Sequence, residues 1–105
     1  MPKRLEIYRV RDFVLRESGD VRPCIVIDVY SNGDAVLVPL SSQMDMYREG
    51  VDFLIDNAGP EFGATGLART CYAIRDRVGT VSASQLIQRR GQLVGELAAR
   101  FLEWL

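Results

Sequence analysis

Two apolar runs separated by the tetrapeptide Ser-Asn-Gly-Asp at positions 31–34 limit the possible folds of this chain more than any other feature. The first run, Cys24–Tyr30, is rich in β-branched residues and almost wholly apolar, as is typical of a strand buried on both faces. The second run is Ala35–Leu40. Asn-Gly between two such runs is a strong hairpin signal, because a type I′ turn needs positive φ at both central residues. The sequence therefore predicts an antiparallel hairpin.

The predicted hairpin brings two polar side chains together. With the Asn-Gly pair as a two-residue loop, Cys24 faces Ser41 and Arg22 faces Gln43. Paired and alternate residues share a face of a sheet, so these four lie on one face, with Arg22 and Ser41 as diagonal neighbours roughly 7 Å apart. A guanidinium and a hydroxyl at that separation can reach one phosphate. The same spacing also fits a solvated arginine beside a serine that starts a turn.

The rest of the chain predicts more strands and then helices. Further strands are expected at Leu5–Leu15, Val51–Ile55, Leu67–Ile74 and Arg77–Val81. A capping box, Ser82 with Gln85, predicts a short helix that stops near Gly91. A last helix carries one apolar face, formed by Leu93, Leu97, Phe101 and Trp104. A length of 105 residues suits one domain spanning 1–105, and this order predicts a mainly β fold, a small antiparallel barrel covered by C-terminal helices.

The chain contains no histidine, which excludes Ser-His-Asp and Cys-His catalytic units and any His-ligated metal. Its two cysteines are too few for a disulfide framework or a four-thiolate zinc site. No apolar run approaches the ~18 residues of a membrane span, and the N-terminus lacks the apolar core of a secretory signal. We therefore expect a cytoplasmic protein that needs no metal or other cofactor.

The charges are arranged in blocks. Residues 23–61 carry one basic and seven acidic side chains, whereas residues 62–92 carry five basic and one acidic. Twelve of the thirteen basic residues are arginine, which suits phosphate and base recognition but also follows from a GC-rich genome. Asp76 lies between Arg75 and Arg77 in an expected turn. It is either a general base that its neighbours hold ionised or a solvated corner.

Four segments in order resemble one protein family. They are residues 22–27 (RPCIVI), 38–43 (VPLSSQ), 66–73 (GLARTCYA) and the tail from 77 to 93, which ends in RRGQL. Each is similar to a segment of the MazF/PemK toxins of type II toxin–antitoxin systems, and together they cover roughly residues 22–105. The family threonine falls on Ser41, which keeps the hydroxyl.

The resemblance implies an SH3-like barrel with a C-terminal helix, usually a homodimer. It also implies metal-independent, sequence-specific cleavage of single-stranded RNA, and an antitoxin whose disordered tail covers the RNA groove. Catalytic roles would fall on Arg22, Ser41 and Asp76. The RNA contacts would come from Ser42, Gln43, Arg69, Thr70, Arg75 and Arg77.

Two other functions remain open at the level of sequence. CcdB-type toxins resemble the same barrel and poison DNA gyrase through a C-terminus that ends in tryptophan, and this chain ends in Trp104 and Leu105. The same Trp104 also fits the apolar face of the last helix. The segments at 66–73 and 89–93 favour the ribonuclease branch. A third possibility is an inactive barrel kept as a binding module.

Overall fold

The computed structural model describes residues 1–11 and 21–105. Its strands are β1 (Glu6–Arg11), β2 (Val21–Val29), β3 (Ala35–Ser41), β4 (Phe53–Ile55), β5 (Cys71–Ala73), β6 (Gly79–Val81) and β7 (Leu86–Gln92). Its helices are α1 (Phe62–Thr65) and α2 (Gly95–Trp104). Single 3₁₀ turns occupy Met44–Met46, Arg75–Arg77 and Ala83–Gln85.

All strand pairs are antiparallel, and the order in the sheet is β4-β5-β3-β2-β1-β7. One edge of β3 is shared, because β6 pairs with residues 35–37 and β5 pairs with residues 40–41. β3 therefore pairs with three strands, β2, β5 and β6. The result is the predicted mainly β fold, small and barrel-like, with a helix at the C-terminus.

The hairpin strands β2 and β3 contribute to two separate cores. Ile25 and Val38 belong to the larger cluster, into which α2 inserts Leu97 and Phe101. Cys24, Val26 and Leu37 belong to the smaller cluster on the other face of the sheet. The prediction of a strand buried on both faces is therefore confirmed for the middle of β2.

The predicted helix between Ser82 and Gly91 is wrong. The capping box does form, since Ser82 N–H donates to Gln85 Oε1 over 3.1 Å, but it caps only the 3₁₀ turn Ala83–Gln85. The chain then extends as β7, because pairing with β1 satisfies its backbone hydrogen bonds along the strand. In the described residues the C-terminal helical layer is thus α2, preceded by an edge strand.

The predicted type I′ turn and its register are also wrong. Tyr30 N–H donates to Asp34 O over 2.8 Å, so the loop has three residues and ends on Gly33, whose φ is +93°. This is the arrangement of a three-residue hairpin with a glycine bulge. A second register shift, between Val26 and Asp28, brings Cys24 opposite Pro39 instead of Ser41.

The other strands lie inside the predicted segments but are shorter. The described part of the Leu5–Leu15 prediction forms β1, and its last four positions lie outside the described residues. Most of the predicted Leu67–Ile74 strand is irregular, and only Cys71–Ala73 pairs with neighbours. Asp76 lies in a 3₁₀ turn, which confirms the predicted turn around it.

Candidate functional site

Arg22 and Ser41 lie at the open end of the β2–β3 hairpin. The β2–β3 register ends with Cys24 opposite Pro39, and Ser41 pairs with Tyr72 of β5. Arg22 lies two residues before Cys24 and Ser41 two residues after Pro39, so alternation places both side chains on one face of the hairpin. The two residues therefore share a face, as predicted, although the predicted register is wrong.

The hydroxyl of Ser41 is fixed by the turn that follows it. Its Oγ accepts a hydrogen bond from Gln43 N–H over 3.1 Å, and the Tyr72 hydroxyl donates to Gln43 O over 3.0 Å. Ser41 is only 8% exposed. Because Oγ already acts as an acceptor, its own proton is available for an oxygen of a ligand.

Two clefts meet at this pair of residues. The first, called here the arginine cleft, has a volume of about 370 Å³. Its polar lining residues are Arg22, Ser41, Ser42, Arg69, Cys71 and Arg90. The second, called here the ion-pair cleft, has a volume of about 300 Å³. Its charged and polar lining includes Arg22, Ser41, Gln43, Arg48, Asp52, Asp76 and Arg77. Arg22 and Ser41 line both clefts, so they mark the boundary between them.

The two clefts differ in charge. Among the described residues, three arginines and no aspartate or glutamate line the arginine cleft. The ion-pair cleft also contains three arginines, but two aspartates offset them. Guanidinium groups match phosphate oxygens in geometry and charge, so the arginine cleft is the more favourable of the two for a polyanion.

Asp52 anchors the ion-pair cleft. Its side chain is 1% exposed and accepts two hydrogen bonds from the Arg48 guanidinium, at 2.8 and 3.2 Å. It also accepts from the backbone N–H groups of Arg48 and Arg75. The Arg48 guanidinium and these N–H groups hold the pKa of Asp52 below its usual range, against the opposing effect of burial. Asp52 therefore ties the loop after β3 to the turn that carries Asp76.

Asp76 faces the same cleft with 61% of its side chain exposed. Its Oδ2 pairs with Arg48 Nη1 at 2.8 Å, so the cation beside it is Arg48 and not the sequence neighbour Arg75. Arg75 turns away, because its Nη1 donates to Trp104 O over 2.8 Å and its guanidinium lies 4.8 Å from the centre of the Trp104 ring.

Some of the other predicted RNA-binding residues line the clefts, and the rest make hydrogen bonds elsewhere in the fold. Ser42 and Arg69 line the arginine cleft, and Gln43 and Arg77 line the ion-pair cleft. Thr70 lines neither, and its Oγ1 accepts a hydrogen bond from Asn57 N–H over 2.9 Å. Arg75 also lines neither cleft and instead holds the C-terminus.

Sequence reasoning missed Arg48 and Arg90. Arg48 is the one basic residue of the acidic block 23–61, and that isolation was a signal that pointed to paired carboxylates. Arg90 falls in the predicted helix after Ser82, and its observed direction depends on the irregular pairing of β7 with β1, for which the sequence gives no signal.

The thiol in the arginine cleft is not an activated nucleophile. Burial raises the pKa of Cys71 to about 12, and burial raises the pKa of Cys24 to about 12 as well. Thiolates are the reactive form, so both groups stay protonated near neutral pH. In residues 1–11 and 21–105, no three Cys, Asp or Glu side chains are grouped so that they could hold a metal ion. The described helices include none that is long and apolar enough to span a membrane.

The described residues form a barrel-like sheet with a C-terminal helix. Arg22 and the Ser41 hydroxyl lie between two clefts of this fold. Residues 3–105 match the family model of PemK-like, MazF-like toxins of type II toxin–antitoxin systems. The chain therefore belongs to this toxin family, and a type II system implies an antitoxin partner. A comparison with curated proteins finds no match.

Proposed function

We propose that this toxin is an endoribonuclease that cleaves single-stranded RNA at a specific sequence without a metal ion. The observation that carries the proposal is that Arg22 and Ser41 both line the arginine cleft and the ion-pair cleft, at the boundary between them. A phosphate at that boundary meets a guanidinium and a hydroxyl donor, and Asp76 lies in one of the adjoining clefts. These are the groups that a phosphoryl transfer without a metal needs.

The reaction begins with the ribose 2′-hydroxyl next to the cleaved bond. Its oxygen attacks the neighbouring phosphorus while its proton passes to the Asp76 carboxylate. The bond between phosphorus and the 5′-oxygen breaks, and that oxygen leaves with a proton taken from solvent. The products are a 2′,3′-cyclic phosphate and a free 5′-hydroxyl.

Each side chain has a separate part in this scheme. Arg22 stabilises the negative charge that develops on the phosphate oxygens, because a guanidinium donates hydrogen bonds and has no acceptor with which to act as a base. Ser41 donates its proton to a phosphate oxygen and so orients the group. Arg48 holds Asp76 in place without touching the reacting atoms, which makes it a positioning residue.

The remaining polar residues contact the RNA on either side. Ser42 and Arg69 act in the arginine cleft, and Gln43 and Arg77 act in the ion-pair cleft. Thr70 and Arg75 contribute indirectly, because their side chains are engaged in the scaffold. Selection of the RNA sequence then depends on the bases that fit beside Gln43.

The assembly proposed for this toxin is a cytoplasmic homodimer that an antitoxin inhibits. A disordered antitoxin segment would cover the same clefts that RNA uses. Such a segment folds on binding and blocks the site by occupying it.

The alternative of a gyrase poison would need a C-terminal tryptophan available to a partner. Trp104 is half-buried and engaged: its Nε1 donates to Val51 O over 2.9 Å, and its ring lies 5.5 Å from the Phe101 ring. These contacts support a scaffold role for Trp104 and so favour the ribonuclease.

The direct test is to incubate the purified protein with a long RNA in excess EDTA and to map the ends of the products. We expect cuts at one short recurring sequence, with a cyclic phosphate on the upstream fragment. Cleavage that disappears with the chelator and returns with Mg²⁺ would contradict the mechanism.

Variants of Arg22 test the residue that carries the proposal. Arg22→Ala should lower the cleavage rate by about 10²–10³, the typical loss of one preorganised donor. Arg22→Lys should also be poor, because an ammonium cannot fork onto two oxygens. Arg100→Ala, a matched control on an exposed position of α2, should leave the rate unchanged. The free energy of unfolding of each variant should stay within about ±0.5 kcal/mol of the wild-type value. Near-normal cleavage by Arg22→Lys would count against the fork geometry.

A further inference from the structure

Arg90 lines the arginine cleft, yet none of the roles above uses it. Along the β1–β7 pair, Gly91 faces Ile7 and Arg89 faces Tyr8, so the register shifts between them and leaves Arg90 without a partner on β1. This is the arrangement of a β-bulge, which changes the direction of a side chain relative to a regular strand. The bulge explains how Arg90, on the edge strand β7, comes to line the arginine cleft.

The side chain of Arg90 is held before any ligand arrives. Its Nη2 donates to Gly66 O over 2.8 Å. The backbone below it is also tightly packed, because a Cβ on Gly66 would lie 2.1 Å from Arg90 O. A guanidinium has five N–H donors, so most remain available for a ligand. A preorganised donor loses less conformational entropy on binding.

The neighbouring Arg89 differs in each of these respects. Its guanidinium is paired with the Glu6 carboxylate and also donates to Gln92 Oε1 over 3.2 Å. It does not line the arginine cleft. Two adjacent arginines of equal charge thus have different surroundings, and of the two only Arg90 lines the cleft that Arg22 and Ser41 also line.

We propose that Arg90, together with Arg69, binds a phosphate of the RNA other than the one that is cleaved. The arginine cleft then holds the sugar-phosphate backbone on one side of the cut, and this inference rests on the proposed ribonuclease function. The difference in charge between the clefts supports the choice of the arginine cleft for the RNA backbone. Two aspartates line the ion-pair cleft, whereas no aspartate of the described part of the chain lines the arginine cleft. Arg90 is a binding residue and has no part in the chemical step.

The test compares Arg90→Gln with Arg89→Gln, which removes the same charge one residue away. Binding is measured with a 2′-O-methyl oligonucleotide of mixed sequence, which lacks the attacking hydroxyl and cannot be cleaved, over a range of salt concentrations. For single-stranded nucleic acid, each phosphate contact contributes about 0.7 to the slope of log affinity against log salt. We expect Arg90→Gln to lower that slope by about 0.7 and Arg89→Gln to leave it unchanged. Cleavage of RNA by Arg90→Gln should show a raised KM with an unchanged kcat.

A second variant separates charge from folding. Arg90→Lys keeps the charge, so it should retain the wild-type slope, and thermal unfolding should show that all three variants are folded. An Arg90→Gln slope equal to that of the wild type overturns the inference, and is the result expected if the cleft takes acidic side chains of a protein instead. Wild-type protein that binds no oligonucleotide overturns it as well. Binding with the expected slopes but without RNA cleavage would overturn the proposed function and leave the phosphate site standing.

Discussion

At the scale of single residues, the candidate site depends on a carboxylate that solvent hardly reaches. Asp52 is 1% exposed at its side chain, and four N–H donors from two residues converge on it. A buried charge is tolerated only when such partners replace its lost hydration. One side chain therefore joins the loop that carries Arg48 to the turn that carries Asp76.

The lowered pKa of Asp52 predicts a specific dependence of stability on pH. Because its pKa is lower in the folded than in the unfolded chain, Asp52 stabilises the fold above about pH 4. This contribution is lost as the pH falls through the folded-state pKa. Asp52→Asn should lower the free energy of unfolding by about 1–3 kcal/mol at pH 7, and this difference should shrink at pH 3.

Urea denaturation at the two pH values measures that difference. Asp45→Asn is the matched control, because Asp45 is exposed in the 3₁₀ turn after β3 and no described hydrogen bond or ion pair holds its carboxylate. Its effect should be small at both pH values. An Asp52→Asn difference of equal size at pH 7 and pH 3 would mean that the charge of Asp52 does not stabilise the fold.

At the scale of elements, two glycines allow β7 to lie directly against the end of α1. Gly66 has a φ of +70°, and a Cβ there would meet Arg90 O at 2.1 Å. A Cβ on Gly91 would lie 2.3 Å from Ala64 O. In both cases the obstacle is backbone, that of β7 for Gly66 and that of α1 for Gly91, and it cannot move aside without displacing the element. The segments that this contact joins continue into Leu67, Arg69 and Arg90, which line the arginine cleft.

Gly66→Ala should therefore destabilise the protein and disturb that cleft. The positive φ costs roughly 1–2 kcal/mol for a residue with a Cβ, and overpacking typically adds about 1–3 kcal/mol. Gly63→Ala is the control three residues earlier in α1, where an added Cβ meets nothing within 4 Å. It should be neutral or stabilising by less than about 1 kcal/mol. Equal unfolding free energies for the two variants, measured in denaturant, would refute the close contact.

At the scale of the whole molecule, α2 closes one end of the barrel-like sheet. Phe101 is fully buried, and its ring packs edge-on against Phe53 with centroids 5.3 Å apart. Trp104 lies beside both rings. The start of α2 lacks a capping side chain of its own, and Glu61 Oε2 accepts from Glu96 N–H over 3.2 Å in its place. The helix is thus held at both ends by distant parts of the chain.

Deleting Trp104 and Leu105 should weaken the fold but leave the chemistry. The cost should be below the roughly 3–5 kcal/mol of a fully buried tryptophan, since Trp104 is half-buried. RNA cleavage should persist under all conditions in which circular dichroism shows a folded protein, because Trp104 and Leu105 do not line the clefts at Arg22 and Ser41. Trp104→Phe, which keeps the ring but loses the bond to Val51 O, should be intermediate in stability. The gyrase alternative would be favoured by two results together. The full-length protein would not cleave RNA, and the truncated protein would be folded but no longer toxic.

Local pattern alone predicted several parts of the fold correctly. The apolar runs of β2 and β3 and the capping box at Ser82 form. The predicted apolar face of the last helix forms at Leu97, Phe101 and Trp104, whereas Leu93 is buried but precedes α2. The shared face of Arg22 and Ser41 also survived, although the predicted register was wrong by two residues. One shift comes from the longer turn and one from the irregularity at Val26–Asp28. A shift of two keeps each side chain on its face, whereas a shift of one would have reversed it.

The sequence by itself therefore determined the class of fold, the hairpin and the two residues at its open end. These depend on periodicity and on short-range turn chemistry, which neighbouring residues specify. The tertiary structure decided that Leu86–Gln92 is a strand, that Arg48 pairs with Asp76, and that Arg90 enters the arginine cleft. In each of these cases the deciding partner lies on a different element: β1 for the strand, the 75–77 turn for Arg48, and Gly66 for Arg90. Hydrogen bonds and close contacts to distant backbone outweigh local propensity, and a local pattern carries no information about them.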